Sequence, residues 1–206
     1  MPNIKTDDFI TESEYLAGEL NNKLKHEFAD GLVHAMAGAS ANHNTIAVNM
    51  VSEFKMHLKK SPCRPFTSDM KVKTSTGNYR YPDVLVVCDD NFVANGYATE
   101  TPVIIVEVLS RSTRQIDEQD KLMEYINIPT LQEYVIVEQD VADVTVYRKS
   151  DDWRSKHYFL KQDIYFESID MTLSVEDIYH RVDNQDMQEF LEKKEQEKSQ
   201  NQGSDT

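Results

Sequence analysis

Two acids stand where acids are costly. Asp83 lies in Tyr81-Pro-Asp-Val-Leu-Val-Val87 and Glu107 in Pro102-Val-Ile-Ile-Val-Glu-Val-Leu-Ser110. Both stretches are short, continuous apolar runs rich in Val and Ile, the pattern of strands buried on both faces. A carboxylate in such a run needs a partner. A divalent cation held by both acids would supply one, and phosphodiester cleavage is one chemistry that such a cation serves. Alternate side chains of a strand share a face, so Asp83, Leu85 and Val87 form one set and Val103, Ile105, Glu107 and Leu109 another. If the two strands are neighbours, the acids converge on one face and suit Mg²⁺, a hard ion that takes oxygen ligands, or Mn²⁺. The same residues also fit a plainer role, in which Asp83 caps a strand after Pro82 and Glu107 pairs with a lysine.

The elements that must position these acids follow from local signals. Residues 6–20 predict a short helix with Phe9, Ile10, Tyr15 and Leu16 available to pack. Asp30-Gly31 is a two-residue hairpin turn between alternating segments, and centring the turn there sets Glu27 opposite His34. A helix over about 40–59 carries Ile46, Ala47, Met50, Val51, Phe54 and Leu58 at helical spacing, with His43 one turn ahead on the same stripe. Pro62 and Pro65 end it. Residues 66–73 and 79–88 predict two strands around Thr76-Gly77-Asn78, and a polar loop, Asp89 to Thr101, leads into the buried strand 103–109. A helix to about Ile126 follows, opened by a capping box of Ser112 with Gln115, and Pro129 stops it. Strands are expected over 133–138, 143–148 and 156–160, and a small helix at Ser174-Val-Glu-Asp177.

The chain has 206 residues, 39% apolar and 28% charged, which fits one globular domain over 1–182 with a proper core. After Val182 the composition turns to Glu, Lys, Gln and Ser, so 183–206 is expected to be a charged tail, a frayed helix grading into disorder. No run approaches the ~18 apolar residues of a membrane span. The N-terminus lacks the apolar core of a secretory signal. Cys63 and Cys88 are far apart and lack metal-type spacing, so reduced thiols in a cytoplasmic protein are expected.

The net charge of −14 opposes nucleic-acid binding overall. Its distribution softens that: Lys55, Lys59, Lys60, Arg64, Lys71, Lys73 and Arg80 face only Asp69 between positions 55 and 82. This basic segment is either a substrate-facing patch or a solvated helix end followed by a polar hairpin.

Pro82-Asp83, then some twenty residues to Val106-Glu-Val-Leu-Ser110, resembles the nuclease superfamily named for its Pro-Asp…(Asp/Glu)-X-Lys motif, PD-(D/E)XK. The closer match is its Uma-two (Uma2) branch of restriction-endonuclease-like proteins. The ordered set that carries the resemblance runs over about residues 11–180. It comprises His26-Glu27 before Asp30-Gly31, His43, Pro82-Asp83, Glu107-Val-Leu-Ser110 with Thr113, Asp117…Lys121…Tyr125, and Glu133-Tyr134. The resemblance implies an α/β (α+β) fold: a restriction-endonuclease-like mixed β-sheet flanked by helices, with added hairpins. It further implies a metal at Asp83 and Glu107, with Glu27 as a further metal or water ligand rather than a merely solvated hairpin Glu, and metal-dependent hydrolysis of DNA. Homodimers are common in the superfamily, and no organic cofactor is implied.

One position departs from the superfamily. The lysine two residues after the second acid is Leu109 here, and the Uma2 branch is similar in placing its lysine on the following helix. In this chain that residue is Lys121. Thr113, Asp117 and Lys121 fall at i, i+4 and i+8 on one helix face. If that helix docks beside the end of strand 103–109, Lys121 reaches the site vacated by Leu109, to hold the attacking water or offset phosphate charge. An ordinary Asp117–Lys121 surface pair is the alternative.

His43 is a candidate for phosphate contact or proton transfer, or a structural residue at a helix start. Lys71 and Lys73 share a strand face and, with Arg80, are candidates to line a groove, or else they protect an edge. Ser110 and Thr113 are assigned to capping, since no nucleophile elbow surrounds them. Three functions compete on this reading. One is a metal-dependent nuclease, one a nuclease-like fold that binds nucleic acid or a protein without cutting, and one an interaction protein working through its acidic tail.

Overall fold

Strand β9 (Pro102–Leu109) is buried along almost its whole length, and the layers of the molecule are arranged around it. The computed structural model describes residues 9–110, 114 and 116–202. In its main sheet β9 pairs parallel with β10 (Glu133–Glu138) on one side and antiparallel with β6 (Val84–Val87) on the other. Strands β11 (Asp143–Arg148) and β12 (Ser155–Phe159) extend the first side and β3 (Arg64–Thr67) the second, giving the order β12-β11-β10-β9-β6-β3.

Both faces of this sheet are covered, which is why its central strands read as continuous apolar runs. On one face Val84, Val86, Ile104, Val106 and Val108 pack with Ile46, Met50 and Phe54 of helix α2 (Ala41–His57). That layer is completed by α4 (Val175–Ile178) and by the hairpin of β13 (Asp163–Phe166) and β14 (Met171–Ser174). On the other face Leu85, Val87, Ile105 and Leu109 pack with Tyr134, Tyr125, Ile128 and Leu131. Tyr125 comes from α3 (Leu122–Tyr125), which continues a wider-wound helical turn over Ile116–Lys121.

A second sheet, in the order β2-β1-β5-β4-β8-β7, is built of short strands: β1 (His26–Ala29), β2 (Leu32–Ala35), β4 (Lys71–Lys73), β5 (Tyr79–Arg80), β7 (Phe92–Val93) and β8 (Ala98–Thr99). Helix α1 (Glu12–Glu19) lays Tyr15 on Phe28 beneath it, ring centroids 5.1 Å apart. Its start is fixed by Thr11, whose hydroxyl accepts from the Glu14 N–H while Glu14 accepts from the Thr11 N–H.

Several expectations are corrected. The hairpin expected from 66–73 and 79–88 is four strands shared between two sheets. The chain turns after Thr67, and Pro82, which has no N–H to give a ladder, breaks the run between β5 and β6. Asp83 therefore sits where the chain crosses from one sheet to the other. The polar loop 89–101 contains β7 and β8, and the β13–β14 hairpin was not expected. Cys63 and Cys88 are not reduced thiols but a disulfide. The register Arg64↔Val87 places the two cysteines side by side just beyond the paired strands, a proximity hidden by their distance in sequence. Within the charged tail, where a frayed helix is expected, Gln185–Gln202 forms helix α5, with Met187 buried near its start. The Ser112–Gln115 capping box and Thr113 lie outside the described residues, as does the side chain of Asp117. No helix among the described residues is long and apolar enough to cross a membrane.

Candidate active site

Glu27 arrives on β1 because the hairpin turns where expected. Asp30 and Gly31 both take positive φ, 51° and 81°, and the register sets Glu27 against His34. Its side chain is 12% exposed and held at both oxygens. Oε2 accepts from Arg80 Nη1 at 3.0 Å, and Oε1 accepts from the Tyr81 N–H at 3.1 Å. Lys121 Nζ lies 3.2 Å from the same Oε1.

Glu107 projects from the middle of the buried β9. Its Oε1 accepts from Lys121 Nζ at 3.0 Å and from the Tyr125 hydroxyl at 2.9 Å. Burial, with Glu107 nearby, pushes the Tyr125 hydroxyl well above its ordinary range, so it remains a protonated donor. Lys121, on the helix that follows β9, thus meets the Glu107 carboxylate. Leu109, two residues after Glu107, is 1% exposed and packs in the core.

Asp83 is held differently. Its Oδ2 accepts from the Val108 N–H at 2.8 Å and lies 3.2 Å from His43 Nε2. His43 is in the first turn of α2, whose start Ser40 caps by accepting from the His43 N–H. Val84 pairs with Val106, so Asp83 and Glu107 flank the same rung of the sheet. The structure therefore brings Glu27, Glu107 and Lys121 together, and pairs Asp83 separately with His43.

Arg80 is a candidate substrate contact by sequence, but its guanidinium is turned inward. Besides Glu27 it donates to Glu124 through Nε at 2.9 Å and Nη2 at 2.6 Å. Lys71 and Lys73 do share a face of β4, and both are engaged within the protein. Lys71 Nζ donates to the Tyr81 hydroxyl at 3.1 Å and sits 5.1 and 5.7 Å from the Tyr81 and Tyr97 ring centroids. Burial pulls its ammonium below the usual lysine range, against the opposing charge of Glu19. Lys73 lies 2.9 Å from Glu12 and 3.6 Å from Glu100.

Sequence reasoning missed the anchoring work of Glu124 and Tyr125. The signal was present: Lys121, Glu124 and Tyr125 fall at i, i+3 and i+4, so one helix face carries all three.

Among the described residues no three His, Cys, Asp or Glu side chains are gathered as a ready metal-binding set. The donor chemistry nonetheless suits a hard divalent ion, since every acid offered is a carboxylate.

Comparison with known proteins places the chain. The profile of the Uma2 family, described as "Putative restriction endonuclease", matches residues 12–176. Two uncharacterised proteins of Synechocystis are each 35% identical to it. One aligns over 173 residues, 82% of this chain and 91% of the relative, the other over 152 residues, 72% and 86%. The crystal structure of a nuclease described as putative and as belonging to DUF820, from Anabaena variabilis, superposes with a TM-score of 0.68 at 17% identity. That match covers 82% of this chain and 97% of the neighbour, and it shows the shared mixed-sheet fold. With the family profile spanning most of the chain and these relatives covering so much of it, the protein belongs to the Uma2 family.

Proposed function

We propose that the protein is a metal-dependent endonuclease that hydrolyses DNA phosphodiester bonds, with Mg²⁺ or Mn²⁺ as its cofactor. Family and fold support a nuclease-type function. The observation that carries the finer reading is the placement of Lys121, 3.0 Å from Glu107 and 3.2 Å from Glu27, on the helix that follows β9 and far in sequence from β1. In this reading Asp83 and Glu107, with Glu27, hold the metal. When bound, the ion lowers the pKa of a water and offsets charge on the phosphate.

The chain's own residues do the rest. Lys121 supplies a positive charge for a phosphate oxygen. Tyr125 holds Glu107 in place, and Arg80 does the same for Glu27. The Val108 N–H and His43 orient Asp83, and in this reading His43 carries a proton beside it.

Cleavage of plasmid and single-stranded DNA with Mn²⁺ tests this. Glu107→Ala and Lys121→Ala are each expected to reduce cutting by about a hundredfold or more. Cutting that survives both substitutions at the wild-type rate would sink the proposal.

A non-cutting module of the same fold is the second reading, favoured by the absence of a ready three-ligand set among the described residues. It predicts DNA retention without metal and no cleavage with it.

A further inference from the structure

Lys121 is 6% exposed, and its ammonium stands between two of the acids assigned to the metal. An ammonium is a compact point charge with three donors, suited to bridging two carboxylates. Helix α3 is held so that the lysine stays there: Glu124 binds Arg80 at two nitrogens and Tyr125 binds Glu107. Four carbons of side chain, rather than the helix, are the part able to move.

We infer that Lys121 is a resident cation that competes with the metal for Glu107 and Glu27. The inference rests on the nuclease reading above and deepens it. An ammonium and a divalent ion on the same buried carboxylates repel each other strongly, because little water lies between them to screen the charges. Metal loading therefore requires Lys121 to leave the acids, and the anion best able to receive it is a phosphate oxygen of the substrate. Metal and phosphodiester then bind cooperatively, each favouring the state that the other needs. Without substrate the lysine occupies both acids and keeps the metal affinity low. No covalent step is involved, only exchange of one cation's partners.

The test is titration calorimetry of the full chain with Mn²⁺ alone, accompanied by melting temperatures, on wild type, Lys121→Met, Lys121→Gln and Asp83→Ala. Competition predicts that Lys121→Met binds Mn²⁺ at least about tenfold more tightly than wild type. It also predicts that Mn²⁺ raises the melting temperature of that variant by more. Lys121→Gln keeps donors without the charge, and carries the same comparison if the Met variant does not fold. Equal or weaker Mn²⁺ binding in both Lys121 variants overturns the competition. If wild type still binds Mn²⁺ and Asp83→Ala does not, that outcome leaves the metal reading standing. Absence of Mn²⁺ binding in wild type and in both Lys121 variants overturns the metal reading and this inference together.

Discussion

Burial alone would push the Glu27 carboxyl toward its neutral form, yet Lys121, Arg80 and the Tyr81 N–H hold it below its ordinary value of 4.5. That balance has a consequence for stability. A carboxyl whose folded pKa is depressed contributes stability in full above its unfolded pKa, and loses it as pH falls through the folded one. Glu27→Gln is therefore expected to flatten the acid side of the stability profile. Urea unfolding should show the variant losing less stability than wild type between about pH 5 and pH 3. An unchanged acid slope would mean that folding leaves the Glu27 pKa where it is in the unfolded chain. Tyr125 illustrates the same economy from the donor side, since one hydroxyl in a fully packed ring both fills the core and orients Glu107.

At the scale of elements, Arg80 is the tie between three pieces of chain. It lies on β5, binds Glu27 on β1 and Glu124 on α3, and is 7% exposed. Removing one partner of a buried ionic network leaves the others charged and unpaired, which costs far more than the network gains over an apolar core. Arg80→Ala is expected to destabilise the fold by about 3–5 kcal/mol in denaturant titration. A loss no larger than an exposed substitution would show the guanidinium to be solvated. The same tie accounts for the positioning of Lys121: α3 is fastened at Glu124 and Tyr125, the neighbours of Lys121 on its own face. Asp83 depends on a different junction, the break at Pro82 between two sheets, where its carboxylate accepts from the N–H of a β9 residue.

Across the whole molecule the basic segment 55–82 does not form one surface. Lys71, Lys73 and Arg80 are engaged inside or against neighbouring acids. Arg64 pairs with Asp90. Lys55, Lys59 and Lys60 are exposed at the end of α2 opposite His43. From His43 to Lys55 the helix rises about 18 Å, at 1.5 Å per residue. That exceeds the ~8 Å screening length at physiological salt. Reversing these three lysines to Glu is expected to leave DNA cleavage within about twofold of wild type, measured at physiological ionic strength. A large loss would place the DNA along α2 instead. Beyond that helix the fold is one of shared layers, each face of the main sheet sealed by a different set of helices.

Much of this was legible in the chain order of residue types. The Asp30-Gly31 turn, the stripe of Ile46, Met50 and Phe54, and the buried runs around Asp83 and Glu107 all follow from short-range rules. Turn chemistry and periodicity act over a few residues, so a sequence displays them directly. The family motif, read in order, also named the two acids and picked out Lys121 as the relocated lysine. What the sequence could not display is which distant groups meet. Glu27, Arg80, Glu107 and Lys121 come from separate elements, and only the docking of α3 against β9 and the β1 hairpin decides that Arg80 turns inward while Lys121 bridges two acids. The cysteine pair and the splitting of the 66–88 region have the same cause. Strand register across the sheet, set by burial on both faces, brings Cys63 beside Cys88 and puts Asp83 at a crossing rather than inside a strand.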